Sequence, residues 1–258
     1  MHNAAFRGLG LRAVYVAFSV SEEALGRAVE GLRALNAGGF NVTMPHKVRI
    51  LKHIDELSAE AGAIGAVNTV VNSDGKLMGY NTDVDGIRIA LAKHGIKGAG
   101  GSALIVGAGG AARACLLALK EEGFATVTIC NRSRARALEA ERLALRLGLR
   151  PRLRPLAWLE GARDLDFDVL INATPLQLGL APRITSKALA PLGAVLDLVY
   201  RPVRTPLLQL ARRAHVLAIP GHEVLLAQAA KAIELWTKRK APLEAMRRAL
   251  LRALGDEG

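Results

Sequence analysis

Three short stretches, Asn41-Val42-Thr43-Met44-Pro45-His46-Lys47, Asn68-Thr69 and Asn81-Thr82-Asp83, place one lysine, one aspartate and several short polar side chains at the ends of apolar, strand-like runs. Such a set can grip a polyhydroxylated small molecule and move a proton. An ammonium within hydrogen-bond reach of a carbonyl stabilises the charge that builds on oxygen as a hydride arrives, and it can supply the proton, which is the role the residue types give Lys47. Asp83 can accept a hydrogen bond from a substrate hydroxyl and orient the lysine. An isolated Lys or Asp would be read as half of a surface ion pair. The embedding in these motifs reverses that reading.

A second constellation, Gly107-Ala108-Gly109-Gly110-Ala111-Ala112-Arg113, follows an apolar run and precedes a helix-like one. In it Gly107 permits a tight turn, Gly109 lets the backbone approach a pyrophosphate, and the small Ala112 lets helix and strand pack closely. The amino end of the helix, with Gly110 and Ala111, then faces the phosphates. About 20 residues further on, an NAD-binding protein places Asp or Glu on the ribose hydroxyls. This chain has Asn131-Arg132-Ser133, with Arg136 one helical turn beyond Arg132. Two guanidinium groups and a hydroxyl match a 2′-phosphate that a carboxylate would repel, so the expected cofactor is NADP.

The elements that must carry these residues follow from periodicity. Ala13 to Phe18 alternates as a strand, and Ser21 is expected to cap a helix whose Leu25, Ala28, Val29 and Leu32 recur at helical spacing. Phe40 to Thr43 reads as a second strand, leading through Pro45 into a helix from Lys47 to Ile54. Val67 to Val71 and Leu77 to Tyr80 flank a hairpin turn, and a helix runs from Asp83 to near Gly95. Gly95, Gly98, Gly100 and Gly101 mark a boundary. Beyond it, strands at Ala103 to Val106, Thr126 to Cys130, Asp168 to Asn172, Ala194 to Leu198 and Val216 to Ile219 alternate with helices at Ala111 to Glu122, Arg134 to Leu147 and Pro206 to Ala214. That rhythm predicts a doubly wound parallel sheet. Two helices close the chain, Glu223 to Lys238 and one from Pro242, which suits a first helical position.

The expected fold is therefore α/β: a Rossmann-like doubly wound NADP-binding domain over residues 98–221, and a substrate-binding domain with a mixed sheet over residues 1–97, completed by residues 222–258. At 258 residues and 51% hydrophobic content, two modest cores fit. No apolar run approaches the roughly 18 residues of a membrane span, and the start lacks a secretory pattern, so the expectation is a cytoplasmic protein without a membrane partner. Cys115 and Cys130 read as small buried side chains, and no Cys/His spacing suggests a metal site. The net charge of +12 invites a nucleic-acid reading. The arginines between Arg132 and Arg154 read instead as a polar helix face with Glu139 and Glu141 interleaved, without aromatic stacking residues, and no nucleic-acid partner is expected. A basic surface also draws in anionic substrate and cofactor.

Taken in order, His2-Asn3-Ala4-Ala5-Phe6, the three polar stretches, the Gly-rich turn, Asn131-Arg132-Ser133, Asn172-Ala173-Thr174-Pro175, Asp197-Leu198-Val199-Tyr200, and Gly221 with Gln228 resemble the shikimate dehydrogenase family along the whole chain. The resemblance implies reversible NADPH-dependent reduction of 3-dehydroshikimate to shikimate, on the route to aromatic amino acids, by a monomer or homodimer. It carries the catalytic pair onto Lys47 and Asp83. It implies substrate contacts at Thr43, Asn68, Asp83 and Gln228, with Tyr200 near the substrate carboxylate, Gly221 approaching the nicotinamide through its backbone, and Thr174 along the cofactor.

The chain departs from the family pattern at Gln177-Leu178, where Gly-Met is frequent, and at Val224, where methionine is frequent. Family members also usually carry a leading strand and a Ser-x-Ser segment, which holds the substrate carboxylate, ahead of the His2–Phe6 element. A form weakened in turnover for want of that segment is one alternative expectation. A quinate/shikimate dehydrogenase is the other, and Arg132 argues against the NAD preference that would mark it.

Overall fold

The computed structural model describes residues 1–175 and 184–255, so Gln177 and Leu178 lie outside the described residues. Contacts divide the chain into two compact units, one of Met1–Gly86 with Leu226–Gly258 and one of Ile87–Leu225. The changeovers fall inside helices α4 (Thr82–Lys93) and α10 (Gly221–Thr237).

In the first unit, α1 (His2–Gly8) and α2 (Leu25–Ala34) precede strand β1 (Gly39–Asn41), a 3₁₀ helix (Arg49–His53), β2 (Glu56–Leu57), α3 (Ala59–Ile64) and the hairpin of β3 (Thr69–Ser73) and β4 (Lys76–Tyr80). The sheet order is β1-β3-β4-β2. β3 runs antiparallel to both β1 and β4, and β2 is parallel to β4, giving the expected mixed sheet. The hairpin turns at Asp74 and Gly75, both at positive φ, the conformation that an Asp-Gly pair adopts at little cost. At Gly39 a side chain is excluded, because an added Cβ would lie 2.3 Å from Trp236 Nε1, the group that donates to Val70 O at 2.9 Å. Leu25, Val29, Val42, Ile50, Val67, Val70 and Leu77 form the core.

Three expectations fail here. Ser21 does not cap α2: the capping position is Ala24, and the Ser21 hydroxyl oxygen accepts from Ala24 N, in the turn ahead of the helix, at 3.3 Å. Ala13 to Phe18 joins no strand, and Val14, Val16 and Phe18 are 75%, 54% and 69% exposed. Its alternation supplies a face, but a strand also needs a ladder; at Tyr15 the backbone N–H and C=O are instead bonded by the side chain of Asn3, at 2.6 and 2.9 Å. The helix expected from Lys47 is reduced to turns and the 3₁₀ segment. Val67 N donates to Lys47 O at 2.8 Å, taking the carbonyl that an α-helix would offer to Leu51, and Leu51 N turns to Val48 O. The exposures set opposite expectations for two apolar residues. Leu77→Ala should cost about 2–5 kcal/mol in denaturant unfolding, whereas Phe18→Ser should stay within about 0.5 kcal/mol. Equal losses would contradict the packing described.

The second unit is a six-stranded sheet, wholly parallel, built from β5 (Ser102–Val106), β6 (Thr126–Asn131), β7 (Arg150–Pro155), β8 (Val169–Asn172), β9 (Ala194–Asp197) and β10 (Leu217–Pro220). Their order is β10-β9-β8-β5-β6-β7, so the chain winds outward from β5 in both directions. The helices are α5 (Gly110–Glu121), α6 (Arg134–Arg146), α7 (Trp158–Gly161), α8 (Ser186–Leu189) and α9 (Pro206–Arg213), with α10 entering directly from β10; α11 (Leu243–Leu254) closes the chain in the first unit. Pro242 caps α11 rather than opening its first turn. The arginine-rich segment is not one helix face: Arg150 to Pro155 is the edge strand β7, whose arginines and prolines guard an edge against further pairing. Cys115 and Cys130 are buried thiols, and burial pushes the Cys130 thiol up to about 12.

Candidate active site

Lys47 sits on the turns between β1 and the 3₁₀ helix, braced by Val67 on its own carbonyl and by His46, whose ring bonds Val20 O at 2.9 Å. The Met44–Pro45 peptide within this stretch is cis. Asp83 occupies the first turn of α4, where a carboxylate is stabilised by the helix dipole. The two meet: Lys47 Nζ donates to Asp83 Oδ2 at 2.5 Å, each side chain 16% exposed.

Asn68, 3% exposed and just ahead of β3, organises the other side of the pair. Its Nδ2 donates to Asp83 Oδ1 at 2.8 Å and lies 3.5 Å from Gln228 Oε1. Its Oδ1 accepts from Thr82 N at 2.8 Å, Thr69 Oγ1 at 2.9 Å and Thr82 Oγ1 at 3.2 Å. The Thr82 hydroxyl also reaches Gln228 Oε1, at 3.2 Å, and Asn41 Nδ2 donates to Thr69 Oγ1 at 3.0 Å. Lys47, Asp83, Asn68 and Gln228 are thus brought into one polar network although Gln228 lies 160 residues from Asn68 in sequence. Thr43 is exposed at the head of the Lys47 turn and contributes its carbonyl to His46 N; no described bond ties its hydroxyl to the pair.

Asn41, Thr69 and Thr82 are members of this network to which the sequence reading gave no individual role. They were inside the quoted motifs, but Asn and Thr at strand ends are also ordinary turn and cap residues, so residue type alone does not single them out. Tyr15 was missed altogether; its hydroxyl donates to Asn41 Oδ1 at 3.0 Å.

In the second unit, the residues expected to meet a dinucleotide gather at the carboxyl ends of the strands. Gly107 follows β5 at φ +116, and an added Cβ there would lie 2.9 Å from Ala173 O. Gly109 caps α5 with no side-chain acceptor, so the first-turn N–H groups of Gly110, Ala111 and Ala112 keep no side-chain cap and suit a phosphate. Space beside Gly109 is open, with nothing within 4 Å of an added Cβ. Asn131 ends β6 and donates to Ser133 O at 2.9 Å, while Ser133 caps α6 through Arg136 N. Arg132 and Arg136 are both exposed, and no ion pair engages either among the described residues. Ala108 is half-buried in the turn. The residues present therefore fit a dinucleotide with a charged group on its ribose.

Thr174 follows β8 and turns its hydroxyl inward, donating to Asn172 Oδ1 at 2.7 Å. Gly221 opens α10, buried against the backbone of Asp197 and Leu198. Tyr200 is 44% exposed beyond β9, and Val224 is buried in α10. Among the described residues no cluster of His, Cys, Asp or Glu could hold a metal ion.

Comparison with known proteins gives the same direction. Residues 1–70 match the family model of the shikimate dehydrogenase substrate binding domain, and residues 221–251 that of the shikimate 5'-dehydrogenase C-terminal domain. The shikimate dehydrogenase (NADP(+)) of Methanothermobacter thermautotrophicus is 44% identical over 266 residues, spanning 100% of this chain and 92% of that protein. Among solved structures, the Thermus thermophilus shikimate 5-dehydrogenase in complex with NADP(H) and shikimate is 38% identical, with a TM-score of 0.82 over 98% of this chain and 93% of the other. A 5-ketofructose reductase of Gluconobacter has the same TM-score at 31% identity, covering 97% of this chain and 91% of its own.

Proposed function

The chain belongs to the shikimate dehydrogenase family, and we propose that it catalyses the reversible NADPH-dependent reduction of 3-dehydroshikimate to shikimate. The observation that carries this is the ion pair of Lys47 and Asp83 set in a network of amides and hydroxyls, the donor set that a polyhydroxylated ring with one carbonyl requires. The first unit, with Thr43, Asn68, Asp83 and Gln228, is assigned to the substrate; the second, with Gly107 to Ala111, Asn131, Arg132, Ser133, Arg136, Thr174 and Gly221, is assigned to NADP; Tyr200 is assigned to the substrate carboxylate.

Bound NADPH supplies a hydride to the carbonyl carbon. As the carbon–oxygen double bond opens, the oxygen takes a proton from the Lys47 ammonium, leaving a hydroxyl and a neutral amine that solvent reprotonates. Asp83 holds Lys47 Nζ and keeps an acceptor toward a substrate hydroxyl, while Asn68 fixes the carboxylate from its other oxygen. In the oxidative direction the amine takes that proton back. For such an enzyme a cytoplasmic location and a monomeric or homodimeric state are proposed, with no nucleic-acid or membrane partner; among the described residues no helix is long and apolar enough to cross a membrane.

The direct test is NADPH formation by the purified protein with shikimate, against quinate and against NAD as alternative partners. Shikimate with NADP should give the highest kcat/KM. Turnover confined to quinate with NAD, or absent with every pair, would sink the assignment.

A further inference from the structure

Paired residues bring the ends of four neighbouring strands level: Val106 opposite Asn172, Asn172 opposite Asp197, and Asp197 opposite Pro220. At the centre of this row Asp197 is 2% exposed, and the mechanism above gives it no task. Its Oδ1 accepts from Asn172 Nδ2 at 2.8 Å and Val199 N at 3.1 Å, and its Oδ2 from Thr205 Oγ1 at 2.6 Å. No described cation pairs with it. Burial pushes its pKa above the ordinary carboxylate value, and the three hydrogen bonds pull it back. A carboxylate held so deep without a counter-ion is costly to the fold, and an apolar side chain would pack there more cheaply.

What the carboxylate secures is orientation. With Asn172 Nδ2 committed to Asp197, Asn172 Oδ1 is aimed at the next turn, where it accepts from Thr174 N at 3.1 Å and Thr174 Oγ1 at 2.7 Å. The Thr174 methyl is thereby set against the Gly107 turn, 3.2 Å from where a Cβ at Gly107 would stand. The Val199 bond shapes the turn that leads to Tyr200. The carbonyl of Asp197 itself lies under Gly221, 2.5 Å from an added Cβ. The carboxylate is therefore linked through Asn172 to the turn of Thr174 and through Val199 to the turn before Tyr200, while the backbone of the same residue lies under Gly221.

We infer that Asp197 is a positioning residue for the dinucleotide: through Asn172 and Val199 it locks the turns after β8 and β9 in the arrangement that NADPH meets, so that little ordering remains to be done on binding. The inference rests on the functional reading only in naming NADPH as the ligand.

NADPH titration followed by fluorescence, on the full chain, tests it independently of turnover. Asp197→Ala should weaken NADPH binding about tenfold or more, and any rise in KM for shikimate should be smaller, since the Asn68 network of the first unit is untouched and only Tyr200 follows the Val199 turn. Asp197→Asn should retain affinity within about threefold, because its oxygen still accepts from Asn172 and Val199 and the Thr205 hydroxyl can turn to accept from its amide. If Asp197→Ala does not fold, Asn172→Ser cuts the same link and should show the same tenfold loss. A purely structural residue would lower the melting temperature and leave the NADPH Kd of the folded protein unchanged. That result, or an Asn variant as weak as the Ala variant, overturns the inference. Wild-type protein that binds NADPH but does not oxidise shikimate would count against the proposed reaction alone.

Discussion

Replacing Lys47 with alanine should lower kcat for shikimate oxidation and for the reverse reduction by about 10²–10⁴-fold, with a much smaller change in shikimate KM. The ammonium is 2.5 Å from Asp83 in the resting protein, so its charge is already balanced there, and its distinctive work begins when a second oxygen becomes negative. An interaction that strengthens only in the transition state appears in kcat, whereas one present throughout appears in KM. Asp83→Asn should also impair turnover, since an amide keeps the bond from Asn68 but cannot hold the ammonium by charge. Asn68→Ala should act differently: it unties Asp83, Thr69 and Thr82 together, so both kcat and KM should suffer. Steady-state kinetics on the three variants check the set. A Lys47→Ala protein with near-normal kcat would remove lysine from the chemistry and leave the pair as an ordinary partly buried ion pair.

The second unit was legible because its order is local. Each strand is followed by its helix, and the Gly107 turn, the Asn131-Arg132-Ser133 end of β6 and the Ser133 cap announce themselves within a few residues of the helix starts they form. The edge strand β7 was hidden by the very residues that protect it: Arg150, Pro151, Arg152, Arg154 and Pro155 are poor strand formers by type, and only pairing with β6 makes them one. Ala13 to Phe18 is the reverse case, with good alternation and no ladder. The Lys47–Asp83 pair was legible from motif chemistry, although no local rule joins positions 36 apart. Gln228 came through family resemblance alone, because a glutamine on an apolar helix carries no signal of what it faces across 146 residues from Thr82. Asp197 had no such signal either; a carboxylate at a strand end reads as solvated until its burial and its three donors are seen together.

Arg132 and Arg136 give the second large expected effect, on the choice of cofactor. Both stand exposed at the start of α6, where a helix dipole disfavours cations, and neither is spent on an ion pair among the described residues. We propose that these two arginines meet the 2′-phosphate, the group by which NADP differs from NAD. Each hydrogen bond to a charged group is worth about 1.5–3 kcal/mol, with exposure and salt reducing the effect at the surface. Replacing both with alanine should therefore raise KM for NADPH by about 10- to 100-fold while changing KM for NADH by no more than about threefold. The loss should also shrink as salt rises, since the wild-type contact is the screened one. Asn131 and Ser133 should contribute less, because Asn131 already spends its amide on Ser133 O and Ser133 its oxygen on the helix cap. Equal losses for the two nucleotides would mean that the arginines act through the general positive field of a chain with net charge +12 and do not read the phosphate.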